Sequence, residues 1–303
     1  MTLKATKVWF FSLVPVVLFF ICYYCTQIYF DSCCSTGKSP QPTVFLCDNS
    51  TVKKWNTLNL SMGRNAELFL KMEDFFWKKH MSIHALPYGI KGSEFMLLKI
   101  LAMVSSYGMP ANIERLNNAP VRGFEEDVGN KTTLRLFYPE SASPNPGLHN
   151  NPDTLLVLVP FKDHDLRWLK VILYNEKRVL KGFWKPPPQI WLGGTSQIRV
   201  LDPYFLRLTA SNLLKIPLKP NRQQKPVHPT TGILAVFVAL NYCDVVHLAG
   251  FGYPEARNQQ YPIHYYGQDT LKSMKNSNHD LNQEAQVLKR LEEQGLISYL
   301  RHS

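Results

Sequence analysis

The chain has little of what stapled or metal-held folds are built from. It carries six cysteines in 303 residues, and only Cys47 and Cys243 lie outside or well beyond a long apolar run that holds Cys22 and Cys25 and is followed by Cys33 and Cys34. No Cys-x-x-Cys stands in the body of the chain, and two cysteines cannot by themselves make a zinc site, so no metal is expected. Acidic residues are outnumbered, 23 against 34 basic ones, for a formal charge of +11. That balance suits anionic partners. No aromatic-basic nucleic-acid motif accompanies it, and a merely solvated basic face is the plain alternative. Also missing are internal repeats, low-complexity tracts, a nucleotide-triphosphate loop with its lysine, and any nucleophile motif.

What is present begins with an uncharged stretch over residues 8–30, rich in Phe, Val, Leu and Tyr and long enough to span a membrane as a helix. Lys4 and Lys7 precede it and Asp31 follows, which by the positive-inside rule leaves residues 1–7 cytosolic and translocates the rest, a type II signal anchor. A cleaved signal peptide is the rival, weakened by the length of the run and the lack of a clean small-x-small site. Sequons at Asn49, Asn59 and Asn130 fit a luminal body. Residues 31–65, with Ser, Pro, Asn and Thr and little periodicity, read as a stem, and residues 66–303 as the globular part.

In that part Leu68, Met72, Phe75 and Phe76 form a helical stripe, and Ser93 can cap a helix carrying Phe95, Leu98 and Leu101. Strands then alternate with helices. Residues 133–137, 154–159, 198–201 and 245–249 are short apolar runs of the buried parallel kind. A helix over 165–173 follows the second, and Asp202-Pro203 starts another after the third. Thr230-Thr231-Gly232 opens an almost wholly apolar helix reaching Tyr242, and Leu281, Ala285, Leu288 and Leu291 mark a last one closed by Gly295. The alternation predicts a Rossmann-like α/β domain with a mostly parallel sheet.

Candidate chemistry collects in the last third. His279, next to Asp280 at a helix start, is placed to take a proton from a hydroxyl near neutral pH, and Glu284 one turn later either orients that ring or caps the helix. His264-Tyr265-Tyr266 joins an imidazole to phenol donors, a set suited to neutralising a departing phosphate, unless it is simply an aromatic lid. Thr230, Thr231 and Gly232 offer hydroxyls, amides and the positive helix end to an anion, though a lone Thr-Thr-Gly is commonly just a cap. A luminal hydrolase using His279 and Glu284 on water is a third option, with no nucleophile or metal motif behind it.

Taken together, residues 115–120, 123–125, 127–129 and 131–133 with Tyr138-Pro139-Glu140-Ser141, the segment from His228 to Gly252, His264-Tyr265-Tyr266 and His279 to Glu284 resemble the motifs of the eukaryotic sialyltransferases, glycosyltransferase family 29. Residues 155–159, 182–185 and 250–254 resemble its β-galactoside α-2,3 branch. The resemblance implies a GT-A-like fold in the Golgi lumen and transfer of sialic acid from CMP-sialic acid to the 3-hydroxyl of terminal galactose on glycoproteins or glycolipids, without metal or cofactor. By position it implies His279 as base, His264 as assistant to the leaving phosphate, and donor contacts at Asn117, Gly232 and Gly252, with Ser141, Thr230, Thr231 and Tyr265 beside them. His228 stands where relatives vary. Homo- or hetero-oligomers with related Golgi enzymes are a further expectation.

One part of the family pattern is missing. A Cys-x-x-Cys, a buried strand and a Gly-Asn-Gly turn should precede Arg115-Leu116-Asn117, but residues 110–114 run straight into it, as if roughly 30 residues, a βαβ-sized unit, were absent at the 114/115 junction. Cys243 thereby loses its family partner, which leaves Cys47 and Cys243 to pair with each other. The expectation is weak donor binding and little or no turnover, or a non-catalytic membrane-anchored form.

Overall fold

Apolar runs too short for helices pair side by side. The computed structural model describes residues 67–104, 114–143, 145–191, 193–219, 226–251, 260 and 262–300. Within them Glu114–Leu116 (β1), Leu134–Phe137 (β2), Leu155–Leu158 (β3) and Ile198–Val200 (β4) form a wholly parallel sheet in the order β1-β2-β3-β4. The register sets Arg115 against Arg135, Leu136 against Val157 and Leu158 against Val200.

Side chains alternate across that sheet, so each face has its own core. On one, Leu97, Ile100, Leu166, Trp168 and Leu169 of Glu94–Leu101 and Asp163–Leu173 cover Phe137, Leu156, Leu158 and Val200. On the other, Leu134, Leu136, Val157 and Val159 meet Thr231–Tyr242, a helix buried nearly all round because almost every residue in it is apolar. With Asp74–Trp77 as α1, these helices are α2, α4 and α6, and Glu125–Val128, Pro203–Leu208 and Leu281–Glu293 are α3, α5 and α7. Each fully buried Leu or Phe contributes about 1.5–3 kcal/mol, so the two cores dominate stability.

The parallel α/β architecture is as expected, but it is not one sheet. Val246–Leu248 (β5) pairs in parallel with Ile297–Tyr299 (β6) in a separate two-stranded sheet. α6 packs against both β1 and β5.

Two local expectations are corrected. Leu68 and Phe69 are not on a helix: the segment lies antiparallel to the end of β4, with a Phe69–Leu201 bridge and the Leu70 amide donating to the Val200 carbonyl at 2.9 Å. Pairing with an open sheet edge outweighs a helical stripe interrupted by Lys71 and Glu73. In α2 the buried face is Leu97, Ile100 and Leu101, while Phe95 is 72% exposed. Ser93 caps nothing there; its hydroxyl donates to Asp163 at 2.9 Å, linking α2 to the start of α4.

Other boundaries shift only slightly. Asp202 accepts from the Tyr204 amide at 2.9 Å with Pro203 behind it, and α7 ends at Gly295 in a left-handed conformation with φ 66°. The anchor over 8–30, the stem, Cys47, Asn49 and Asn59 lie outside the described residues. Among the described residues, no helix is long and apolar enough to cross a membrane.

Candidate functional site

The start of α6 is tied to α7 by one carboxylate. Thr230, the N-cap, accepts from the Ile233 amide at 3.2 Å. Its hydroxyl donates to one oxygen of Glu284 at 2.6 Å and its own amide to the other at 2.8 Å. Glu284 is fully buried, so both bonds act away from water, where an unmatched charge would be costly. Sequence reasoning placed Glu284 beside His279 or at its own helix cap. The cap of α7 is Asp280, which accepts from the Gln283 amide at 3.0 Å, and the charge of Glu284 serves the neighbouring helix.

That clamp positions His279. It directly precedes Asp280, and its Nδ1 lies 2.8 Å from the His228 carbonyl oxygen. A carbonyl can only accept, so Nδ1 carries the proton and the lone pair sits on Nε2, the form a general base needs. The His228 amide in turn donates to the Asn278 carbonyl at 2.9 Å, and the two imidazoles meet edge to face with centroids 4.6 Å apart. Burial, then the neighbouring His279, hold His228 down to about 4 against its bond to Pro229, so it stays neutral. Phe161 also packs on His228, with centroids 5.0 Å apart, and meets Tyr138 in turn, which carries the contact to the end of β2.

His264 reaches the same region by another route. It forms a backbone bridge with Phe251, and a Cβ added at Gly232 would lie 3.1 Å from the Phe251 ring. Gly232 is therefore the residue that lets this ring close on the start of α6. The His264 ring stacks on Tyr266 at 5.4 Å, and burial lowers its pKa, opposed by Asp269. Tyr265 donates its hydroxyl to the Pro120 carbonyl and packs edge-on against Phe124 at 5.2 Å. Gly250, at φ 71°, makes room for it: a Cβ there would come within 2.3 Å of the tyrosine ring.

The remaining candidates divide. Asn117 ends β1 in a left-handed conformation, φ 53°, with its side-chain oxygen buried and unpartnered. Ser141 closes a turn on Tyr138, donating to its carbonyl at 2.9 Å and accepting its amide at 3.0 Å, so its hydroxyl is locally engaged. Thr231 is buried inside the first turn of α6. Cys243 is half-buried at the end of α6, and Asn130 is exposed, open to a glycan. Gly252 and the pairing of Cys47 lie outside the described residues. Phe161, which connects the motifs, carries no sequence signal beyond being aromatic next to a turn, whereas Tyr138 and Phe251 stood inside the resembling motifs without a role of their own.

Residues 111–296 match the model of glycosyltransferase family 29, the sialyltransferases, which spans the majority of the chain. This chain belongs to that family. The human sialyltransferase named CMP-N-acetylneuraminate-beta-galactosamide-alpha-2,3-sialyltransferase 4 is 49% identical over 270 positions, covering 78% of this chain and 80% of its own. Since 78% of 303 residues is fewer than 270, that sialyltransferase has residues with no counterpart here. The human type 2 lactosamine alpha-2,3-sialyltransferase is 46% identical over 61% of this chain and 56% of its own. The fold is that of a solved mammalian sialyltransferase, with a TM-score of 0.60 at 21% identity over 84% of this chain and 96% of the other.

Proposed function

We propose that this sialyltransferase transfers sialic acid from CMP-sialic acid to the 3-hydroxyl of terminal β-galactose on glycoproteins or glycolipids, on a Rossmann-like GT-A variant fold. The observation that carries the reaction is the His279 Nδ1 bond to the His228 carbonyl, which fixes the tautomer of the neutral ring so that Nε2 is its basic nitrogen, the one that takes the acceptor's hydroxyl proton. The names of the two similar α-2,3-sialyltransferases support the linkage and the acceptor. Burial, opposed by Asp269, lowers the His264 pKa and so favours its neutral ring, which stabilises the departing CMP phosphate first as a hydrogen-bond donor. The arriving phosphate's negative charge raises the affinity of the ring for a proton. Attack by the galactose oxygen on the anomeric carbon then expels CMP from the opposite side, with inversion.

Donor contacts are assigned to Asn117, Gly232, Gly252 and Tyr265, with Ser141, Thr230 and Thr231 holding the surrounding turns. No metal or cofactor takes part in this scheme. The chain sits in the Golgi membrane through residues 8–30 with residues 31–303 in the lumen, and digestion with an endoglycosidase is expected to shift its mobility through Asn49, Asn59 or Asn130. An unshifted band would remove the luminal placement.

The divided sheet supports a narrower alternative. β1 and β5 belong to separate sheets although both lie on α6, and the similar human sialyltransferase has residues this chain lacks. A strand and donor-binding turn absent at the 114/115 junction would leave a membrane-anchored form with little turnover, able to act as a non-catalytic partner of a complete enzyme. Radiolabelled sialyl transfer to N-acetyllactosamine, measured on this chain and on one carrying the human relative's extra segment at the junction, separates the two. Equal rates establish an active enzyme. A rate that appears only after insertion establishes the impaired form, and inactivity of both discards the transfer reading.

A further inference from the structure

We infer that a small cavity on the α2/α4 side of the four-stranded sheet is a binding site for an oxyanion, with Arg135 as its charge. The cavity measures about 20 Å³ and is lined in part by Asn117, Arg135, Phe137, Asn150 and Trp191. That volume accepts about one small polar atom group, such as a water or one end of a carboxylate or phosphate.

The polar atoms around it select between these. The Arg135 Nε, Asn150 Nδ2 and Trp191 Nε1 groups are buried donors with no partner, and Asn117 Oδ1 is a buried acceptor without one. Four orphans around one space far exceed what a native interior ordinarily leaves unmatched. Water accepts two hydrogen bonds and donates two, so it meets Asn117 Oδ1 and two of the three donors. An oxyanion accepts all three donors, and the Asn117 amide joins them once it is turned to present Nδ2.

Charge points the same way. Arg115 and Arg135 sit directly across from each other in the β1–β2 register, 6% and 3% exposed. Like charges so placed repel, and buried charges are ordinarily paired. Neither arginine enters an ion pair among the described residues. Arg115 spends its donors on Thr132 and on the carbonyls of Val128, Gly129 and Lys131. Arg135 gives Nη1 to the carbonyls of Asn117 and Ala119, at 2.7 and 3.2 Å, and keeps Nε for the cavity. Burial, with Arg115 second, pulls its guanidinium down to about 10, still a cation at neutral pH but one that gains from an anion.

The wall opposite is rigid. Phe137 stacks on Trp191 at 5.4 Å, and Trp168, edge-on to Trp191, donates to the Pro188 carbonyl at 2.8 Å, which pins the chain a few residues before Trp191. The indole of Trp191 is thus held in place as a donor. CMP-sialic acid carries both a phosphodiester and a carboxylate, and Asn117 belongs to the cavity as well as to the proposed donor contacts; seating one of those groups here rests on the transfer reading above.

The test uses inorganic probes, so that its failure is separate from any failure of transfer. The full chain, ¹⁵N-labelled in detergent, is titrated with sodium phosphate and, separately, sodium acetate, with sodium chloride holding ionic strength. The indole resonance of Trp191, assigned by its loss in Trp191→Phe, is expected to move saturably with phosphate, acetate or both, and the responding arm identifies the oxyanion class. In Arg135→Gln the apparent Kd should rise by about tenfold or more. Should that variant fail to fold, Trp191→Phe still reports through the Arg135 Nε–H resonance, with binding weakened severalfold. A stationary resonance in both titrations means the cavity holds water only and overturns the site, as does a shift undiminished by Arg135→Gln.

Discussion

The carboxyl-terminal half of the site and the β1–β2 half differ in how fully their polar groups are matched. Around His279 and Thr230 the buried groups meet partners from another element: Glu284 takes two donors from Thr230, and His279 takes the carbonyl of His228. Around Arg135 the opposite holds, with two cations side by side and four orphan atoms at one cavity. The first half is preorganised without ligand, the arrangement a proton-transfer group requires. The second is incomplete without one. Loss of a segment near β1 would therefore fall on the unmatched half and leave His264 and His279 in place.

The comparison can be broken most severely at its finished half. In whichever form transfers sialic acid, His279→Ala is expected to lower kcat by about 10²–10⁴-fold with KM for the acceptor little changed. A loss under tenfold, read in the same radiolabel assay, would move the base elsewhere. Next in size is Glu284→Ala, which strips two bonds from Thr230 and should cost about 3 kcal/mol of stability by denaturant titration. Retained stability would show that the two helix starts are not coupled through this carboxylate.

His228 sharpens the contrast through pH. Its folded-state value, about 4, lies below the ordinary imidazole value of 6.5, so below 6.5 the unfolded chain binds a proton the folded chain refuses. Stability therefore falls as pH drops from 6.5 toward 4, by at most about 3 kcal/mol. His228→Gln should flatten that window in thermal melts, and an unchanged slope would assign it to other groups. The smallest effect is expected at Gly232→Ala, where the added methyl meets Phe251 at 3.1 Å. About 1 kcal/mol is expected from calorimetry, together with weaker donor binding. An unaffected melting temperature would show that Phe251 yields freely.

Much of the fold was legible because its elements are strongly patterned. β2, β3 and β4 are short apolar runs, interrupted by one arginine each in β2 and β4, and Asp202-Pro203 and Thr230-Thr231-Gly232 are helix starts whose capping atoms sit where their chemistry requires. β6 was not legible, since Ile297-Ser298-Tyr299 has too few apolar residues to signal a strand. β1, a Glu-Arg-Leu run with none of the usual strand composition, gave no such signal either. Leu68 was misassigned because local periodicity says nothing about an available sheet edge. In the site, His264, His279 and Glu284 stood out, whereas Arg135, Asn150 and Trp191 lie far apart along the chain. The one hint was a charge inside an otherwise apolar strand.

Residue type and local spacing were enough to give the family, the central strands β2 to β5 with the helices between them, and the two histidines. Only the tertiary structure decided that Glu284 serves Thr230, that the parallel strands divide into two sheets, and that two arginines share a buried face. Those outcomes depend on which distant groups are left to satisfy one another once water is excluded, and short-range pattern holds no record of that.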